Sequence, residues 1–202
     1  VTEQQPYDVV RSYDDFQLRR YPEHLLAEVT TDGPFEDAGN RAFRYLFSYI
    51  TGANRSRSKV AMTAPVVQAD ASATIAMTAP VVQQAAPDRA GSSGSGEYVV
   101  AFVLPASLTA DTAPQPTDPR VRLRTVPERN VAALRFRGGW SETNYTRHLD
   151  RLRSALTAAG LAAKGTPRFA RFDPPFMPAF LRHNEIMLDI EWSAEAPSTR
   201  RK

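Results

Sequence analysis

Near one end of this 202-residue chain the apolar run Phe176-Met177-Pro178-Ala179-Phe180-Leu181 leads straight into Arg182 and His183, with Glu185 close behind. Connecting segments are normally polar and lie on the surface, so an apolar run in one either folds inward or lines a site. Beside it stand a guanidinium that can pair with an acid, an imidazole that can donate to a metal, and a carboxylate. Such a set suits binding of a hydrophobic molecule better than bond breaking. The chain has no cysteine, no Gly-x-Ser-x-Gly elbow, no His-Glu-x-x-His pair and no phosphate-binding glycine loop. Acidic pairs such as Asp14-Asp15 and Glu36-Asp37 read as surface pairs. A non-catalytic binding protein is therefore expected.

The final strand constrains these side chains. Ile186, Leu188, Ile190 and Trp192 alternate onto one side, which must be core, whereas Glu185 shares the other side with Met187 and Asp189. Glu185 then points either to solvent or into a cleft, and if buried it would favour cationic or hydroxylated ligands over acids. Of the three histidines, His24 follows a Pro-Glu turn and reads as exposed, and His148 sits at the edge of a helical stripe. Only His183 adjoins the apolar run.

Two repeats describe the elements that position these residues. The strings Val60 to Gln68 and Ile75 to Gln83 differ only at their first residue, and each carries a proline inside a β-prone run. Proline confines a strand to an edge, an end or a bulge, and the short gap suits an antiparallel hairpin. A longer, weaker repeat aligns Leu18-Arg19 with Leu123-Arg124, Pro22-Glu23 with Pro127-Glu128, Gly33 with Gly138 and Phe35 with Trp140. Each half, about 16–104 and 121–192, reads as strand, Pro-Glu turn, strand, glycine, aromatic, helix, strands. The expected fold is α+β, with duplicated βαββ halves about a pseudo-two-fold axis forming a twisted, mainly antiparallel sheet or distorted barrel with two long helices.

In the first half, strands are expected over 16–21 and 24–31 and a helix over 34–50. The helix carries Glu36 and Asp37 in its first turn and Phe35, Ala38, Ala42, Phe43, Leu46, Phe47 and Ile50 on one stripe. Tyr98 to Leu104 reads as a buried central strand. The second half offers strands over 121–126, 130–137, 168–173 and 185–192. Its helix is capped by Ser141, packed through Tyr145, Leu149, Leu152, Leu156 and Ala159, and closed by Gly160 or Gly165. Segments 84–96 and 109–119 are expected to be flexible loops and 194–202 a disordered tail, leaving one domain over 1–193.

Composition sets outer limits. With 42% hydrophobic and 23% charged residues and a net charge of +3, the chain has the balance of an ordinary globular domain. Its basic residues are scattered apart from Arg200-Arg201-Lys202, so no nucleic-acid partner is expected. No apolar run approaches a membrane span and Val1 to Asp8 has no signal pattern, so with cysteine absent a cytoplasmic setting is expected. The oligomeric state is left open.

These residues resemble the SOUL heme-binding protein family. The likeness rests on Gly52-Ala53-Asn54 leading to Met62-Thr63-Ala64-Pro65-Val66, on Arg20-Tyr21-Pro22, on Gly138-Gly139-Trp140, and on Phe172-Asp173-Pro174-Pro175 with Arg182-His183-Asn184-Glu185. It implies heme or a related tetrapyrrole as cofactor, bound reversibly for buffering or transport, and no established catalysis. It also implies an apolar slot between the first helix and the loop before the last strand, here Phe43 and Phe47 with Phe176, Met177, Phe180 and Leu181. For Phe43 and Phe47 plain core packing is the favoured reading over a place in the slot.

Heme needs cations for its propionates and often an axial donor. Lys59, Arg44, Arg171 and Arg182 are nearby cations, Arg182 the best of them, while Ser48 and Met177 stand where some members have lysines. Arg20 stands where some members have a histidine ligand, which leaves His183 as the axial candidate. Related GyrI-like modules bind other small molecules and place an acid in the pocket from this final strand, so Glu185 joins the site set. The alternatives are therefore a GyrI-like binder or weak hydrolase of another hydrophobic molecule, or a protein-interaction module docking through 176–181.

Overall fold

The computed structural model describes residues 3–55, 73–86, 96–173 and 176–192. The chain runs β1 (Glu3–Gln4), β2 (Asp8–Ser12), β3 (Gln17–Tyr21), β4 (His24–Gly33), α1 (Phe35–Ile50), β5 (Asn54–Arg55), β6 (Thr78–Ala79), β7 (Val81–Ala85) and β8 (Gly96–Val103). It continues through β9 (Gln115–Pro116), β10 (Arg122–Val126), β11 (Arg129–Arg137), α2 (Glu142–Ala158), β12 (Ala163–Arg171), a 3-10 turn (Ala179–Leu181) and β13 (His183–Ile190).

Nine strands form one sheet in the order β10-β4-β8-β7-β12-β13-β11-β3-β2, every neighbouring pair antiparallel. Apart from the extra edge strand β2, the order is symmetric about the β7–β12 seam, as the duplication predicts. Pro22-Glu23 and Pro127-Glu128 are not hairpin turns, however. Each connects strands near opposite ends of the sheet: β3 pairs with β11, and β10 with β4. A two-residue link reaches only about 3.5 Å per residue, so the sheet must curl until its ends approach. It stays an open sheet and does not close into a barrel.

Both helices pack on the outer, convex side. From α1, Phe35, Ala38, Ala42, Leu46, Tyr49 and Ile50 are buried, and from α2, Leu149, Leu152 and Leu156. They meet Leu18, Val29, Val100, Phe102, Leu134, Phe169, Ile186 and Leu188 of the sheet in one core. The Ser141 hydroxyl caps α2 by accepting from the Asn144 amide at 3.2 Å. Gly160, at φ +68°, lies just past the α2 C-cap at Ala159. Gly165, at φ +70°, falls instead in β12, where the register against β13 shifts.

Strand β8 is central, between β4 and β7. Segment 109–119 contains the short strand β9; within it Ala113 is buried and the Tyr49 hydroxyl donates to the Pro114 carbonyl at 2.8 Å. The first proline-bearing string, most of 84–96 and the 194–202 tail lie outside the described residues. In the second string Pro80 follows a cis peptide bond between β6 and β7.

Two motifs owe their pattern to helix ends. At Gly52 the chain leaves α1 with φ +130°, open to glycine at little steric cost. Asn54 then clamps the exit: its Nδ2 donates to the Tyr49 and Ala73 carbonyls at 2.6 and 2.8 Å, and its Oδ1 accepts from the Ala73 amide at 2.8 Å. At Gly138, φ +139°, an added Cβ would lie 2.7 Å from Asn144 Nδ2. That asparagine is held by the Gly139 carbonyl.

Candidate functional site

The curl leaves little room at its centre. The inner face between the two Pro-Glu links, lined by Tyr21, Leu26, Val82, Val131, Arg168 and Met187, encloses only about 20 Å³ of free space. Asp189 holds Arg168 there through two bonds of 2.9 and 2.7 Å. Burial, aided by repulsion from Arg168, lowers Arg129 to about 10.

Larger openings lie elsewhere, and two of them hold predicted site residues. The first is a groove of about 590 Å³ on the outer side, against α1. Its lining includes Phe43 of α1, Met77 ahead of β6, Trp140 ahead of α2, and Phe172 and Phe176 of the loop before β13. This volume is within the range of small-molecule pockets. Arg171, at the end of β12, lines it too and is 5% exposed. Its guanidinium lies 4.8 Å from the Trp140 ring and 5.3 Å from the Phe169 ring, and Nη2 donates to the buried Gln83 Oε1 at 2.5 Å. Gln83 is itself oriented by donating to the Phe35 carbonyl at 2.9 Å.

Burial, with repulsion from Arg182, brings Arg171 down to about 10, and Glu36 only partly offsets this. On α1, Gly39 makes space for the group, since a Cβ there would collide with Arg171 Nη1. A glycine in a helix costs roughly 1 kcal/mol, so its presence is explained by this close approach.

The second opening, about 510 Å³, lies beyond β3 on the inner face and is more polar. Arg19 and Glu185 form its buried floor, joined by bonds of 2.7 and 3.0 Å. Tyr21 accepts from Arg19 at 3.2 Å, and the Tyr7 ring lies 4.2 Å from its guanidinium. Burial alone would raise the Glu185 carboxyl, but hydrogen bonds from His183 and Arg19 hold it below its usual range.

The predicted site residues therefore divide. Phe43 and Phe176 share the groove, and Phe47 stands 44% exposed, stacked on Phe43 at 5.6 Å. Phe47 is not core. Met177 turns its carbonyl to Arg182 Nε at 2.8 Å. Phe180 and Leu181, 72% and 44% exposed, ride on the 3-10 turn and are not in the groove wall, because that turn lifts them off the surface. Arg182 reaches back over Trp140 at 4.2 Å.

His183 and Glu185 face the inner opening instead, as strand alternation requires. His183 stacks on Phe172 at 4.3 Å and places Nε2 3.3 Å from Glu185 Oε1. The choice for Glu185 between solvent and cleft resolves to the cleft. Among the other cations, Arg44 is exposed and bonded to the Tyr45 hydroxyl, and Lys59 lies outside the described residues. His148 stacks on Phe136 at 3.9 Å and donates from Nδ1 to the Asn144 carbonyl.

Sequence reasoning passed over Trp140, Met77 and Gly39 as site residues. The signal for Trp140 was in the motifs: buried Asn184 accepts from the indole Nε1 at 2.9 Å and donates to the Gly138 carbonyl at 2.9 Å. The glycine-glycine-tryptophan and arginine-to-glutamate motifs are thus one packed unit.

Fold and groove define a duplicated α+β domain with an apolar, ligand-sized groove against its first helix. The model of the SOUL heme-binding protein family matches residues 2–73 and 68–189, and the chain belongs to that family. Heme-binding protein 1 of Xenopus tropicalis is 26% identical over 172 residues, covering 85% of this chain and 81% of that protein. Among solved structures, the EcmrR C-terminal domain superposes with a TM-score of 0.58 at 11% identity, covering 92% of this chain and 98% of that one. A hydrolase from Listeria innocua gives 0.52 at 13% identity, covering 86% and 91%. These two share the fold. No helix among the described residues is long and apolar enough to cross a membrane.

Proposed function

We propose that the chain binds heme or a related tetrapyrrole reversibly in the groove between α1 and the loop before β13, as a non-catalytic protein of buffering or delivery. The observation that carries this reading is the groove itself: about 590 Å³ of space walled by Phe43, Met77, Trp140, Phe172 and Phe176, beside a buried guanidinium. These residues fit the group. Aromatic and thioether side chains suit a flat apolar plate, and Arg171 and Arg182 supply positive charge where it would carry acids. Heme would bring its iron, and the groove wall offers Met77 as a thioether donor while His183 faces the other side. Membership of the family and the likeness to Heme-binding protein 1 support the same ligand class.

A reading built on Glu185 as bait for cations has less to offer, because Arg19 already neutralises that carboxylate. The test is a heme titration followed by the Soret band beside a heme-indifferent control protein. Saturable one-to-one binding is expected, weakened at least about tenfold by Phe43→Asp, which places a charge in the groove wall. Equal affinity in the variant would remove the groove from the site.

A further inference from the structure

Arg171 poses a problem that the groove solves. Charged side chains are almost never fully buried unless paired, yet no carboxylate among the described residues lies within ion-pair distance of this guanidinium, and its buried Nε has no hydrogen-bond partner there. The acids nearby are otherwise placed. Glu36 is exposed on α1 and accepts from the Glu142 amide, and Asp173 in the groove wall accepts from the His183 amide at 2.5 Å. Arg182 adds a second positive charge across the same indole. The protein also invests structure in the group: a glycine within α1 makes room for it, buried Gln83 orients it, and two aromatic rings flank it.

We propose that Arg171 is the anchor for an acidic group of the groove's ligand, so that the site selects flat apolar molecules carrying a carboxylate over neutral or cationic ones of the same shape. This rests on the groove reading above and adds the residue that sets its specificity. An incoming carboxylate would meet a guanidinium already stripped of water and held in place, so the attraction is weakly screened and little ordering remains to be done. The same argument disfavours a cationic ligand, which would face two arginines.

The test compares iron protoporphyrin IX with its dimethyl ester, identical plates that differ in charge, by tryptophan quenching and Soret titration. Wild-type protein should bind the acid about tenfold or more tightly than the ester, the worth of a hydrogen bond to a charged group. Arg171→Gln should bring the acid down to the ester's affinity and leave the ester unchanged, a pattern that general loosening of the groove would not produce. Equal binding of acid and ester by wild type, with both lost in Phe43→Asp, overturns the anchor and leaves the groove standing. Retained discrimination in Arg171→Gln also overturns it. Failure of wild type to bind either compound overturns both readings. Should Arg171→Gln not fold, the wild-type comparison decides alone.

Discussion

Arg19 of β3 and Glu185 of β13 face each other across intervening strand β11, their charged groups 2.7 Å apart and their side chains 4% and 3% exposed. The pair ties the outlying strand of one half into the sheet of the other. Removing one partner of a buried pair strands the other charge, at a cost of about 3–5 kcal/mol. Glu185→Gln should therefore lower unfolding stability in urea by about that amount. The double variant Arg19→Met, Glu185→Leu should recover most of the loss. A Glu185→Gln protein as stable as wild type would mean that the pair is not buried.

The same pair sets acid sensitivity. The folded carboxyl of Glu185 is held below its unfolded range by hydrogen bonds from His183 and Arg19 that outweigh burial. A depressed folded pKa stabilises the protein fully above the unfolded value, about 4.3, and that contribution fades as pH falls through the lower, folded one. Stability measured from pH 6 downwards should decline on acidification below about 4.5, and the decline should be shallower in Glu185→Gln.

Gly39→Ala inverts the usual helix rule. Replacing a helix-interior glycine by alanine normally gains up to about 1 kcal/mol. Here the new Cβ would collide with Arg171 Nη1, and overpacking of this kind costs about 1–3 kcal/mol. Thermal melts should show Gly39→Ala below wild type, and the same change in an Arg171→Met background should cost less or stabilise.

Phe176 and Phe180 should separate cleanly. Both are apolar and exposed in the same loop, but only Phe176 borders the groove. In a heme titration Phe176→Asp should weaken binding about tenfold or more, and Phe180→Asp should change it less than about twofold. The reverse ranking would place the ligand on the 3-10 turn.

Asn54→Ala should cost at least about 2 kcal/mol by chemical denaturation, since it strands the buried Tyr49 carbonyl together with the half-buried carbonyl and amide of Ala73 at the end of α1. A loss confined to a few tenths would show that solvent reaches those groups.

Much of the fold could be read directly. The Leu-Arg and Pro-Glu matches locate β3, β4, β10 and β11 to within about two residues, and the apolar stripes locate both helices, because local patterning decides where such elements lie. Strand partners were less accessible. Pro22-Glu23 has the chemistry of a tight turn, yet it joins strands that never pair, since the exchange of β3 and β10 is decided by packing between halves. The groove was half legible. Phe43 and Phe176 announce themselves and Arg171 stands among the expected cations, but Trp140 and Met77 come from separate elements and meet the others only in three dimensions. His183 and Glu185 follow the apolar run in sequence and leave it in space, because strand alternation turns them to the opposite side.

The traded opening strands make the two repeats mutually dependent. Neither repeat owns a finished hydrogen-bonded ladder, since each completes its neighbour's border. A cut between Val103 and Arg122 would leave fragments that lack a stable shape in isolation and regain it by recombining, like two clasped hands.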